Sequence, residues 1–170
     1  QKRILTQIRI MHKFVVLISI GFILLSCTEK KYYDQYQAVE GMEWQQNSPI
    51  EFSVLNTDTI SKKNVFINIR NNSKYEYSSL FLIVKTEFPS GYKLVDTLEY
   101  EMTDAEGNWL GKGFTNLKEN KLFFKEGVVL PETGDFKFLI QHATRGINDI
   151  EGKKPLTGIT DVGLSIEYTK

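Results

Sequence analysis

The chain has one cysteine, two histidines and four prolines in 170 residues, and its 21 basic residues are balanced by 21 acidic ones. One cysteine excludes an internal disulfide, so the fold must draw its stability from its core alone. Two histidines, one of them His12 near the start, leave no His/Cys cluster for zinc or other nitrogen- and sulfur-seeking metals. No excess of Lys and Arg is available to neutralise phosphates, the main source of nucleic-acid affinity, so no nucleic-acid partner is expected. Also missing is an apolar run of about 20 residues, the length needed to cross roughly 30 Å of hydrocarbon. What remains is 41% hydrophobic, 12% aromatic and 25% charged, the composition of a folded protein of one domain.

The charge balance hides an asymmetry. Residues 1–26 hold four of the basic residues (Lys2, Arg3, Arg9, Lys13) and no acidic one, which leaves the remainder with a net charge of −4. After Met11, His12 and Lys13 the chain is almost wholly apolar from Phe14 to Leu25, then reads Ser26-Cys27. A basic start, a short apolar stretch and a small residue before a cleavage point form the layout of an export signal. Leu24-Leu25-Ser26-Cys27 resembles the bacterial lipobox, in which the first mature residue is acylated on sulfur, and Cys27 is the expected lipidation site. Several acyl chains on one residue hold a protein to a membrane stably, because each buried methylene adds about 0.8 kcal/mol. The expected division is therefore 1–26 as upstream residues and signal peptide with Met11 as the start, 27–45 as lipidated cysteine and tether, and 46–170 as the folded domain.

Within that domain, residues 50–55 and 64–70 alternate, as in Val65, Ile67 and Ile69 against Asn64, Phe66, Asn68 and Arg70, where Phe66 is the one apolar residue of the second set. Period-two alternation marks strands with one buried face. Residues 93–101, 121–126, 136–140 and 162–166 are further candidates, while the continuous run Leu80-Phe81-Leu82-Ile83-Val84 predicts a central strand covered on both faces. Turn-formers separate them at 71–73, 89–91, 104–108, 131–134 and 152–158. Seven or so strands without an amphipathic helix between them predict an all-β, antiparallel β-sandwich, Ig-like or jelly-roll-like in topology.

No catalytic constellation stands out, and no enzyme, metal or cofactor is expected. A Ser-His-Asp arrangement would depend on His142, which ends a strand and reads as a structural histidine. Asp104, Glu106 and Asn108 offer oxygen ligands in a row, but an Asx turn closed by Gly107 is the simpler reading. Phe66, Tyr75, Tyr77, Tyr92 and Trp109 include aromatics out of phase with the buried face, which leaves a glycan-binding patch as the alternative to a protein partner. The segment 104–113 is the most informative outside the core. Gly107, Gly111 and Gly113 let the backbone turn sharply or approach another chain, and Trp109 sits among them with the side chain most enriched at binding hot spots. Asp104, Gly107, Trp109, Gly111 and Gly113 are the candidate partner-binding residues; Trp109 as a plug of the sandwich core is the competing expectation.

Several segments together resemble one family, the gliding-motility lipoproteins called GldH, from the Bacteroidetes. They are Tyr33-Asp34-Gln35-Tyr36, Gly41-Met42-Glu43-Trp44, Asn68-Ile69-Arg70-Asn71, Tyr77-Ser78-Ser79-Leu80-Phe81-Leu82, Phe88-Pro89-Ser90-Gly91 and Asp96-Thr97-Leu98. The most distinctive are Gly107-Asn108-Trp109-Leu110-Gly111-Lys112-Gly113 and Gly158-Ile159-Thr160-Asp161-Val162-Gly163-Leu164. The resemblance implies a lipid-anchored protein of the cell envelope, in the outer membrane and facing the periplasm. It further implies work with other gliding or type IX secretion proteins and carries no catalytic motif.

Overall fold

The structure, a computed structural model, describes residues 31–145 and 155–169. Ten strands follow in chain order: β1 (Lys31–Ala38), β2 (Glu43–Trp44), β3 (Ile50–Asn56), β4 (Lys63–Asn71), β5 (Ser79–Glu87), β6 (Lys93–Glu101), β7 (Lys118–Val128), β8 (Gly134–His142), β9 (Leu156–Thr157) and β10 (Ile159–Tyr168). A single 3-10 turn, Glu40–Met42, precedes β2, and no α-helix occurs among the described residues.

Leaving aside the two-residue pair β2 and β9, the eight long strands pair as a nested set. The first meets the last (β1 with β10), the second the seventh (β3 with β8), the third the sixth (β4 with β7) and the fourth the fifth (β5 with β6), all antiparallel. Rolling this long hairpin up adds the pairs β10–β4 and β8–β5, giving sheets ordered β1-β10-β4-β7 and β3-β8-β5-β6. That is the double-sheet jelly roll. Of the two topologies the sequence allows, the pairing selects this one.

Alternation builds the core. Val65, Ile67 and Ile69 of β4 and Val162, Leu164 and Ile166 of β10 face Phe52 and Val54 of β3, Leu80, Leu82 and Val84 of β5, and Phe136, Phe138 and Ile140 of β8 in one buried cluster. Each such side chain contributes about 1.5–3 kcal/mol on burial. β5 is central, as its apolar run predicts, yet only alternate residues are enclosed. Phe81 and Ile83 point outward and are half-buried. Ile83 instead helps line a shallow depression of about 290 Å³ with Pro49, Val95 and Leu139.

Residues 31–38 correct the expected tether, since they form β1 and pair along β10 from Lys31 to Ala38. Of the expected tether, residues 31–38 therefore belong to a sandwich sheet, and Val39 and Trp44 to its core. Residues 1–30, with Cys27 and the signal segment, lie outside the described residues, as does the 152–154 part of the expected turn.

Both lateral seams of the sandwich are closed by side chains. On one side Gln37 donates to the main-chain carbonyl of Glu51, and the Tyr32 hydroxyl donates to Asn56 Oδ1 at 2.7 Å and to the Leu55 carbonyl at 3.4 Å. On the other, the Tyr100 hydroxyl donates to the Phe123 carbonyl at 2.7 Å, and Lys125 pairs with Asp96 at 2.6 Å. Three main-chain carbonyls along these edges, those of Glu51, Leu55 and Phe123, are occupied in this way.

Candidate functional site

The strands run between two ends. At one, β1 begins and the connections 57–62, 88–92 and 129–133 gather; at the other lie 39–49, 72–78, 102–117 and the residues flanking β9. The candidate segment 104–113 belongs to the second group, and so do Gly41-Met42-Glu43-Trp44 and the start of the Gly158 segment.

From Met102 the chain doubles back as a short hairpin. Thr103 bridges Trp109, the Leu110 amide donates to the Met102 carbonyl at 3.0 Å, and the Asp104 amide to the Asn108 carbonyl at 2.9 Å. The tip is an Asx turn. The Asp104 carboxylate accepts from the amides of Asn108 (2.7 Å) and Glu106 (3.1 Å) and from Asn108 Nδ2 (2.9 Å), which hold it below the usual carboxylate range, the Asn108 side chain most of all. Gly107 supplies the positive φ of 84° that the turn needs. The carboxylate of Asp104 is thus engaged by its own loop. Among the described residues no group of three or more His, Cys, Asp or Glu side chains is placed to hold a metal ion.

Gly111 and Gly113 make close approaches of the kind the sequence suggested, but to the same chain. A side chain at 111 would meet Asn120 Oδ1 of β7 at 2.7 Å, and one at 113 would run into the carbonyl of Leu117. Lys112 forms a two-way bridge with Glu119, both bonds 2.9 Å, and Lys118 Nζ donates to the Gly113 carbonyl at 2.7 Å. The segment is therefore fastened to the start of β7.

Trp109 is half-buried. Its ring packs against the core and lies 6.2 Å from that of Tyr75, which is itself enclosed, donates to the Ser79 carbonyl at 2.8 Å and stacks edge-on with Tyr77 at 5.7 Å. Burial raises the Tyr75 hydroxyl pKa, so it stays protonated. The indole is thus neither a sealed plug nor a free surface group. Around it the hairpin exposes Leu110 (54%), Leu117 (41%) and Phe114, whose side chain is wholly in water. Sequence reasoning overlooked Phe114. The available signal was an apolar residue between Gly113 and Thr115-Asn116 that belongs to no alternating run.

The five singled-out aromatics do not form one platform. Tyr75, Tyr77 and Trp109 meet at this end, Phe66 pairs with Phe123 on the outer face of β4 and β7 (5.2 Å), and Tyr92 stacks on Phe88 at the opposite end (5.4 Å). His142 is buried against Trp44, ring centroids 5.4 Å apart. Neither of its ring nitrogens has a hydrogen-bond partner among the described residues. Burial lowers its pKa and favours the neutral ring, and the nearby main chain of Trp44 opposes this only in part.

A family model described as GldH lipoprotein matches residues 31–166. A gliding motility lipoprotein GldH homolog of Christiangramia forsetii is 47% identical over 156 residues, 91% of this chain and 95% of the relative. The gliding motility lipoprotein GldH of Flavobacterium johnsoniae is 42% identical over 152 residues, covering 89% and 94%. Among solved structures, the infectious bursal disease virus Gx strain protein is 14% identical with a TM-score of 0.37, over 80% of this chain and 29% of the viral one. The family match over nearly all of the sandwich, with two relatives above 40% identity along almost their full length, places this chain in the GldH lipoprotein family.

Proposed function

We propose that the chain supports gliding motility as a non-enzymatic assembly component, acylated at Cys27 in the outer membrane with its sandwich in the periplasm. Its far end, where Trp109, Leu110, Phe114 and Leu117 lie, binds another protein of the gliding or type IX secretion machinery. The observation that carries this reading is the full exposure of Phe114 on a segment whose base is fastened to β7, because an aromatic side chain wholly in water offers a partner a large apolar area to bury. A shared sugar platform is disfavoured by the dispersal of the aromatics.

The test is affinity capture of the intact lipoprotein from envelope membranes, beside the Phe114→Ser variant. A stable protein partner retained by the parent and lost with Phe114→Ser is the expected result. Recovery of peptidoglycan or polysaccharide without a protein partner, from both forms alike, overturns it.

A further inference from the structure

We infer that the sandwich stands end-on against the lipid bilayer, with the connections 57–62, 88–92 and 129–133 as its membrane-contacting surface and Ile60 at its most exposed apolar point. The inference rests on acylation at Cys27.

Reach decides the orientation. Three residues, 28–30, separate Cys27 from Lys31 at the start of β1. Four Cα-to-Cα steps span at most about 14 Å even when fully extended. The ten-residue β10 alone is about 34 Å long at about 3.4 Å per residue. An acylated Cys27 lies at the lipid surface, so the end holding Lys31 stays beside it. Apolarity alone would not choose, because the far end exposes Phe114 and Leu110 as well.

What the near end presents suits a bilayer surface. Leu55 (64% exposed), Ile60 (86%), Tyr92 (59%) and Val129 (39%) all occur there, from three separate stretches of chain. A tyrosine with an apolar body and a polar tip is a typical residue of the membrane-water interface. Ile60 is held outward: Asp58 Oδ1 accepts from the Ile60 amide at 3.0 Å and the Ser61 amide at 2.9 Å, while buried Lys63 donates to the carbonyls of Asp58 (2.8 Å) and Ser61 (3.1 Å). The loops are joined as well. Asn56 Nδ2 donates to the carbonyls of Leu130 (3.0 Å) and Glu132 (2.8 Å), and Ser90 donates twice to the Glu132 carboxylate. A braced apolar tip enters the interface without an ordering cost, and Lys62 beside it, exposed, reaches the headgroup phosphates.

The sole native cysteine is the acylated one, so an introduced cysteine provides the only free thiol for a spin label. Acylated protein carrying Ile60→Cys, Tyr92→Cys, Thr97→Cys or Phe114→Cys would be reconstituted in vesicles of phosphatidylethanolamine and phosphatidylglycerol. Collisions of each label with oxygen, which enters lipid, and with a nickel chelate, which stays in water, would then be measured. The expected ratio of oxygen to nickel collisions is several-fold higher at 60 and 92 than at 97 and 114. Equal nickel access at 60, 92 and 114 overturns the inference while leaving the anchor intact, and lipid contact at 97 replaces it with a sandwich lying on its side. If fatty-acid labelling and vesicle retention are both absent, the anchor reading itself fails and the orientation falls with it.

Discussion

At the end where β1 begins, the connections are short and cross-braced: Asn56 at the end of β3 ties down 129–133, Ser90 and Glu132 join 88–92 to that same connection, and Lys63 sits wholly buried between Asp58 and the rings of Tyr32 (4.8 Å) and Tyr168 (5.6 Å). At the other end the connections are longer and are joined too, the Asn72 amide donating to the Gly158 carbonyl and the Gly158 amide to the Met42 carbonyl, yet they lift Leu110, Phe114 and Leu117 into water. The same eight strands carry both. In the proposed orientation the short connections lie beside the anchor, whereas the far end has the longer backbone on which recognition residues are commonly displayed.

The anchor gives the largest expected effect. Cys27→Ala should abolish fatty-acid labelling and release the protein from membranes, with both ends of the fold unchanged in melting; continued labelling would locate the lipid elsewhere. At the far end, Trp109→Ala should cost about 1.5–3 kcal/mol in urea denaturation, because the half-buried indole removes from water about as much apolar surface as a fully buried smaller side chain. A loss of about 3–5 kcal/mol would show that the indole acts as a sealed core residue. Lys63→Met at the near end removes two hydrogen bonds from a charged group, and the destabilisation should be about 1.5–3 kcal/mol. No change would mean that the bracing at this end is ornamental.

β3 to β5, β7, β8 and β10 were readable because each has a face that alternates buried apolar residues against the opposite sheet, and β6 because Leu94, Leu98 and Tyr100 recur on one face although none is fully buried. β1 was not. Lys31-Tyr32-Tyr33-Asp34-Gln35-Tyr36-Gln37-Ala38 has no fully buried residue, and the strand is held by main-chain pairing with β10, more than 120 residues further along, and by side-chain bonds to β3. An edge strand stabilised by such distant partners leaves no periodic stripe to read. The same limit applies to the site. Trp109 among glycines was legible, but what the glycines approach, Asn120 and the Leu117 carbonyl, follows only from how the hairpin folds onto β7. Gly107 alone acts as its local sequence indicates.

A smaller effect concerns pH. His142 is neutral when buried and its folded pKa lies below the ordinary 6.5, so its contribution to stability is complete above that value and is lost as pH falls through the folded pKa. Melting followed from pH 8 to 5 should show a decline starting near 6.5, and His142→Leu should flatten that part of the profile. A decline of equal size in the variant would assign it to carboxylates instead. The smallest effect on stability belongs to Phe114→Ser, within about 0.5 kcal/mol of the parent because the side chain touches water alone.

Site-specific photocrosslinking in living cells compares the two ends in one measurement. With a photoreactive amino acid at 114, at 60 and at the mid-strand position 97 of the acylated protein, a discrete protein adduct is predicted at 114 only, with lipid adducts at 60 and neither at 97. A discrete protein adduct at 60 together with none at 114 would contradict the division of the sandwich into a membrane end and a partner end.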